Sequence, residues 1–215
     1  MQNLPGSVTH LIKITAQQND IDIVLLDMSP SVGALNQCFL MGSDYFMVPT
    51  SPDYYCDQAI RSLARVIPKW DDAIAFFRNP QLTYPFEQTP PQFLGTISQR
   101  YRPHGGKPAA SFQRWIDTIK KTSNTELVPA LLKKSMIISQ EKFKNANTDD
   151  TPYNLANISD FNSLIAQSQK HNVPVFALSD SQIEQSGAVL ETMKQNRQIF
   201  LNNFTQLAKI VINLI

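Results

Sequence analysis

With 19 Lys and Arg against 18 Asp and Glu, the 215 residues carry a formal net charge of +1. That balance gives no chain-wide field for nucleic acid or membrane, so any basic binding surface must be local. A hydrophobic share of 42% with 17% charge is globular rather than disordered, and the length suits one domain with a sizeable core. No apolar run approaches membrane-spanning length, and Met1-Gln2-Asn3-Leu4-Pro5 has neither the basic region nor the apolar core of a signal peptide. The two cysteines, Cys38 and Cys56, lack metal-ligand spacing and read as a reduced pair of a cytoplasmic protein.

In chain order, Val8, Leu11, Ile12 and Ile14 recur at helical spacing and predict a helix over 7–18, capped by Ser7. Ile21-Asp22-Ile23-Val24-Leu25-Leu26-Asp27 follows. Its β-branched, near-continuous apolar character, closed by Ser29-Pro30-Ser31 and Gly33, predicts a parallel strand buried on both faces. Asp27 then stands at the carboxyl end of that strand, the edge where open α/β sheets bind ligands. Ala34 to Met41 suits a short helix. Asp44 to Thr50 is a second strand, ending in Ser51-Pro52-Asp53.

This succession, an apolar strand ending in Asp-x-x-Pro-Ser-x-Gly, a helix, and a strand closing on a Pro-containing loop, resembles the Walker B region of ParA/Soj/MinD-type ATPases. The resemblance implies that Asp27 serves magnesium and that Ser31 and Gly33 form a switch sensing the γ-phosphate. One aspartate suffices chemically, because magnesium keeps waters and shares phosphate oxygens. In that family a glycine-rich phosphate loop precedes the first helix, and these residues contain no such motif. His104-Gly105-Gly106-Lys107-Pro108 lacks the first glycine and the Ser or Thr after lysine, and reads as a surface turn.

A helix is predicted from Tyr54 to Val66, with Arg61 and Arg65 on a solvated basic face, and another over 70–77. The stretch 80–91, with four prolines, is a loop. Phe93 to Ser98 is the next strand, ending in Gln99-Arg100. By the resemblance Gln99 occupies the place of an adenine-binding asparagine, with Arg100 and Pro52 also on the nucleotide side. Phe112, Trp115, Ile116 and Ile119 predict an amphipathic helix over 109–121 with a core-facing stripe. Around it lie Arg100, Arg102, His104, Lys107, Arg114, Lys120 and Lys121, able to contact phosphates of nucleotide or DNA.

Short helical pieces are expected over 124–134 and 136–144, a polar surface loop over 145–154, and a helix over 158–170. Val173 to Leu178 reads as a fourth parallel strand, and a long terminal helix follows from Gly187. The expected fold is α/β: a doubly wound, mainly parallel sheet with helices on both faces, one ParA-like domain over 1–215, incomplete at its amino end. Without the phosphate-loop strand, the strands ending at Asp27 and Thr50 either close up or leave an edge that a partner chain pairs with.

The implied activity is that of a partitioning or positioning ATPase in plasmid or chromosome segregation, using ATP and Mg2+, with binding compromised by the absent loop. A homodimer, nonspecific DNA and a partition partner protein are the implied partners, and no membrane. A non-catalytic interaction module on the same scaffold is the alternative. The likeness extends to larger ParA-like members grouped with cobyrinic acid a,c-diamide synthases. Such an amide ligase is disfavoured, since neither Cys38 nor Cys56 sits on a tight strand-to-helix turn with small neighbours.

Overall fold

A computed structural model describes residues 6–29, 31–105, 107–147 and 151–215. The amino-terminal Met1 to Pro5, Pro30 of the switch motif, Gly106 of the Gly-Gly-Lys turn and residues 148–150 of the polar stretch lie outside the described residues. The fold is α/β, with helices flanking a three-stranded sheet in the order β1-β2-β5, where β1 is Tyr45–Thr50, β2 Gln92–Tyr101 and β5 Asn154–Ser159. β2 and β5 run parallel, from Thr96 opposite Asn154 to Tyr101 opposite Ser159. The Gln92 N–H donates to Asp44 O at one end of β1, and the Thr50 hydroxyl donates to Ile97 O at the other, so β1 runs the same way.

The chain divides into two compact units: 1–47, 59–94 and 122–138 in the first, and 48–58, 95–121 and 139–215 in the second. In the first, α1 (Ser7–Gln18) and α2 (Ala34–Gly42) precede the strand, and α3 (Tyr54–Ile74) belongs to this unit from Ala59 onward. The two helices predicted over 54–66 and 70–77 are therefore one, carried through Pro68. An interior proline forfeits a hydrogen bond. Ile60, Ile67 and Ile74 recur every seven residues and are all buried, and that shared apolar face holds the helix together across the proline. Asp71 on this helix pairs with Arg78 at 2.7 Å, and Arg61 pairs with Glu126 and reaches the Thr122 hydroxyl at 3.2 Å. Arg61 is thus engaged rather than solvated. Phe93 packs its ring 5.3 Å from that of Phe46, and Ile137 forms a parallel bridge with it. Residues 136–138 are accordingly extended, and the helix predicted over 136–144 begins only at Gln140 as α6 (Gln140–Ala146), with the Ser139 hydroxyl accepting from the Lys142 N–H.

In the second unit a two-stranded ribbon, β3 (Pro103–His104) with β4 (Lys107–Pro108), leads into α4 (Ala110–Thr122). Gly105 follows β3 in a turn and Lys107 opens β4, while Gly106 of that segment lies outside the described residues. α7 (Leu164–His171), a 3-10 turn over Val175–Ala177, α8 (Asp180–Ile183) and α9 (Gly187–Leu214) complete it. Phe161 meets Phe200 edge-on at 4.8 Å, and Phe176 lies 5.1 Å from Phe204, so aromatic rings tie α9 down.

Three expectations are corrected. Residues 21–29 form no strand: Ile21 to Asp27 has no regular secondary structure, with a bend at Asp22, and is exposed, Leu25 to 81%. A strand is stabilised by its neighbours, and none is supplied beside this run among the described residues. Neither did it close up on β1, which keeps β2 as its neighbour. Val173 to Leu178 is also not a strand. Pro174 brings no ladder donor, and the Ala177 N–H closes a turn onto Pro174 O at 2.8 Å. The strand in its place is β5, read in part as polar loop and in part as helix. Asn154 is wholly buried there, and its carbonyl accepts from the Asn147 amide at 2.7 Å.

Candidate nucleotide-facing turns

In the first unit, Asp27, Ser29, Ser31 and Gly33 form the entry to α2. Asp27, Ser31 and Gly33 are exposed. The turn is held by a residue that sequence reasoning passed over, Asn36, only 6% exposed. Its side-chain amide donates to Ser29 O at 2.6 Å and Ser31 O at 2.7 Å, while the Ser31 N–H returns to Ser29 O at 2.8 Å. The hydroxyls of Ser29 and Ser31 stand 3.2 Å apart beside it. Gly33 caps α2 in an extended conformation with no side-chain hydrogen bond, so helix donors there are open to an anion. A signal was available: an asparagine three residues past the Gly, where a polar side chain on a helix face points back at the preceding turn.

Asn36→Ala is expected to remove both clamps. Each such hydrogen bond contributes about 1 kcal/mol, so amide exchange at Ser31 should quicken roughly tenfold or more while β2 amides keep their protection. Unchanged exchange at Ser31 would mean the turn is held otherwise.

In the second unit Pro52 lies two residues past the end of β1, and Gln99 and Arg100 lie within the last three residues of β2, the two strands being joined by the Thr50 to Ile97 hydrogen bond. Pro52 is buried, Gln99 half-buried opposite Ile158, and Arg100 exposed at a bulge with φ +63°. Asp53 caps α3 by accepting from the Cys56 N–H at 2.8 Å. Both cysteines are free. Burial pushes each thiol above its usual range, with Asp53 adding to the effect at Cys56. Cys38 lies within α2 and Cys56 in the first turn of α3, and a raised pKa is the reverse of what a nucleophile needs.

Among the described residues no group of three or more His, Cys, Asp or Glu could hold a metal ion. Among the described residues no helix is long and apolar enough to cross a membrane.

Residues 8–83 match a family model described as an AAA domain, a ParA/MinD-like family of P-loop ATPases, and that stretch has P-loop ATPase-like character. The match contains Asp27, Ser31, Gly33 and Pro52 and ends before Gln99 and Arg100. No curated protein and no solved structure matches the chain.

Proposed function

We propose that these residues are part of a ParA-like partitioning or positioning ATPase of the cytoplasm, acting in plasmid or chromosome segregation. ATP binding and hydrolysis are compromised in this chain by the absence of a Gly-x-x-x-x-Gly-Lys-Ser/Thr motif from its 215 residues. The observation that carries this reading is that Asn36, inside the AAA-domain match, holds the carbonyls of Ser29 and Ser31 at the mouth of α2. In this role Asp27 would hold magnesium, and Ser31 and Gly33 would respond to the γ-phosphate. Gln99 offers the adenine an amide donor and acceptor, Arg100 stands beside it, and Pro52 shapes the loop after β1. Magnesium, when bound, supplies charge neutralisation between phosphate oxygens. A homodimer, nonspecific DNA and a partition partner protein complete the reading.

The test is to read the frame upstream of Met1 and express the extended protein. A Lys-Gly-Gly-x-Gly-Lys-Thr-like loop in frame, with micromolar ATP binding that Asp27→Asn weakens, is the expected result. An upstream frame without that loop overturns the reading and leaves a non-catalytic interaction module. The exposed run Ile21 to Leu26, a strand's composition without a strand's neighbours, is the observation that favours that module.

A further inference from the structure

Between Gly95 and Lys121 the chain concentrates six Lys and Arg residues against one carboxylate, Asp117, although the whole chain is nearly neutral. Asp117 is engaged by the Gln113 amide at 2.8 Å. Arg100, Arg102, Lys107 and Arg114 form no ion pair among the described residues. The ribbon bearing Arg102 and Lys107 is tied to the start of α4 by the Ala109 N–H donating to Arg102 O at 3.1 Å. That places its cations at the helix end where Ser111 and Arg114 begin an open cleft of about 310 Å³, lined further by Trp115 and Thr118.

The second feature is aromatic. Tyr54 is 56% exposed and Tyr55 81% exposed, both in the first turn of α3 and both within the second unit. Tyr54 meets Tyr55 edge-on at 5.8 Å and Trp115 edge-on at 6.2 Å. The predicted core stripe of α4 thus divides: Ile116 and Ile119 are buried, while Trp115 turns half out to join the tyrosines. Leaving two large rings in water is costly unless something covers them.

We propose that this surface binds single-stranded nucleic acid without ATP, with bases stacking on Tyr55, Tyr54 and Trp115 and phosphates meeting Arg114, Arg102 and Lys107. Interleaved aromatic faces and unpaired cations are the two elements of sequence-tolerant strand binding. Ring faces are useful only to bases free of a duplex stack, so the platform selects single over double strands. The cations supply a salt-dependent attraction to phosphate.

The test is fluorescence anisotropy of a labelled oligo-dT of about 15 nucleotides, a length covering one such site, titrated with the full chain in the absence of ATP. Expected are binding that falls with salt and a duplex of equal length binding at least about tenfold more weakly. Tyr55→Ala, at a surface position, should weaken binding about tenfold or more, while Tyr55→Phe restores it. Arg114→Gln should lower the salt slope by about one. No binding, a duplex bound as tightly, or a Tyr55→Ala variant with full affinity would each overturn the proposal. Displacement of the oligonucleotide by polyglutamate at equal concentration would also overturn it, marking the surface as one for acidic proteins.

Discussion

Gly95→Ala is expected to be strongly destabilising for the addition of a single methyl. Gly95 holds φ at +149°, a backbone region that side chains rarely adopt, where β2 begins its pairing with β5. A methyl there would stand 2.7 Å from Tyr153 O and 2.9 Å from Leu155 Cγ. Tyr153 O already accepts from the Thr96 N–H at 2.8 Å, so the carbonyl cannot retreat without losing that bond. Strain at such a φ costs about 1–3 kcal/mol and overpacking about 1–3 kcal/mol more. The expected loss is at least ~2 kcal/mol, or a Tm lower by roughly 4–8 °C or more for a chain of this size. Gly105→Ala is the control. Its φ is +58° but no atom lies within 4 Å of the added carbon, so it should lose only about 1 kcal/mol. Equal losses at the two positions in urea denaturation would show that the close approach of β5 is not what demands glycine at 95.

Phe93→Ala is expected to have the largest effect of any core truncation. The residue is fully buried, its ring meets Phe46, and its backbone is used on both sides, the N–H donating to Met136 O at 2.8 Å and the carbonyl accepting from Ile138 N at 3.4 Å. Truncation leaves a cavity that these hydrogen bonds keep from collapsing, and the loss should be about 3–5 kcal/mol. Phe76→Ala, at a ring 63% exposed, should cost less than about 1 kcal/mol. Denaturant midpoints of the two variants check the contrast.

The elements legible in the sequence are those whose apolar spacing is satisfied within the chain: α1, α2, β1, β2, α4 and α9. The misreadings have one origin. Strand character in Ile21 to Leu26 and in Val173 to Leu178 is a property of composition, whereas a strand is a property of neighbours. The first run has no ladder beside it, and the second carries Pro174, which cannot donate to one. β5 went unread for the opposite reason. Asn154-Leu155-Ala156-Asn157-Ile158-Ser159 looks polar, but Asn154 is wholly buried and its carbonyl is bonded by Asn147, a pairing that only tertiary structure supplies. Likewise Asn36, which holds Ser29 and Ser31, was not legible, because its role depends on two carbonyls that α2 brings over it.

The proposed function turns on the 215 residues containing no Gly-x-x-x-x-Gly-Lys-Ser/Thr motif to cradle the phosphates. Each hydrogen bond from a cradle to a charged phosphate contributes about 1.5–3 kcal/mol, so the lack of four or so offsets roughly the whole ~8 kcal/mol of a micromolar complex. Calorimetric titration of the 215-residue chain with ATP and magnesium tests this directly. The account predicts no saturable heat below about millimolar nucleotide. Saturable micromolar binding that Asp27→Ala abolishes would contradict it.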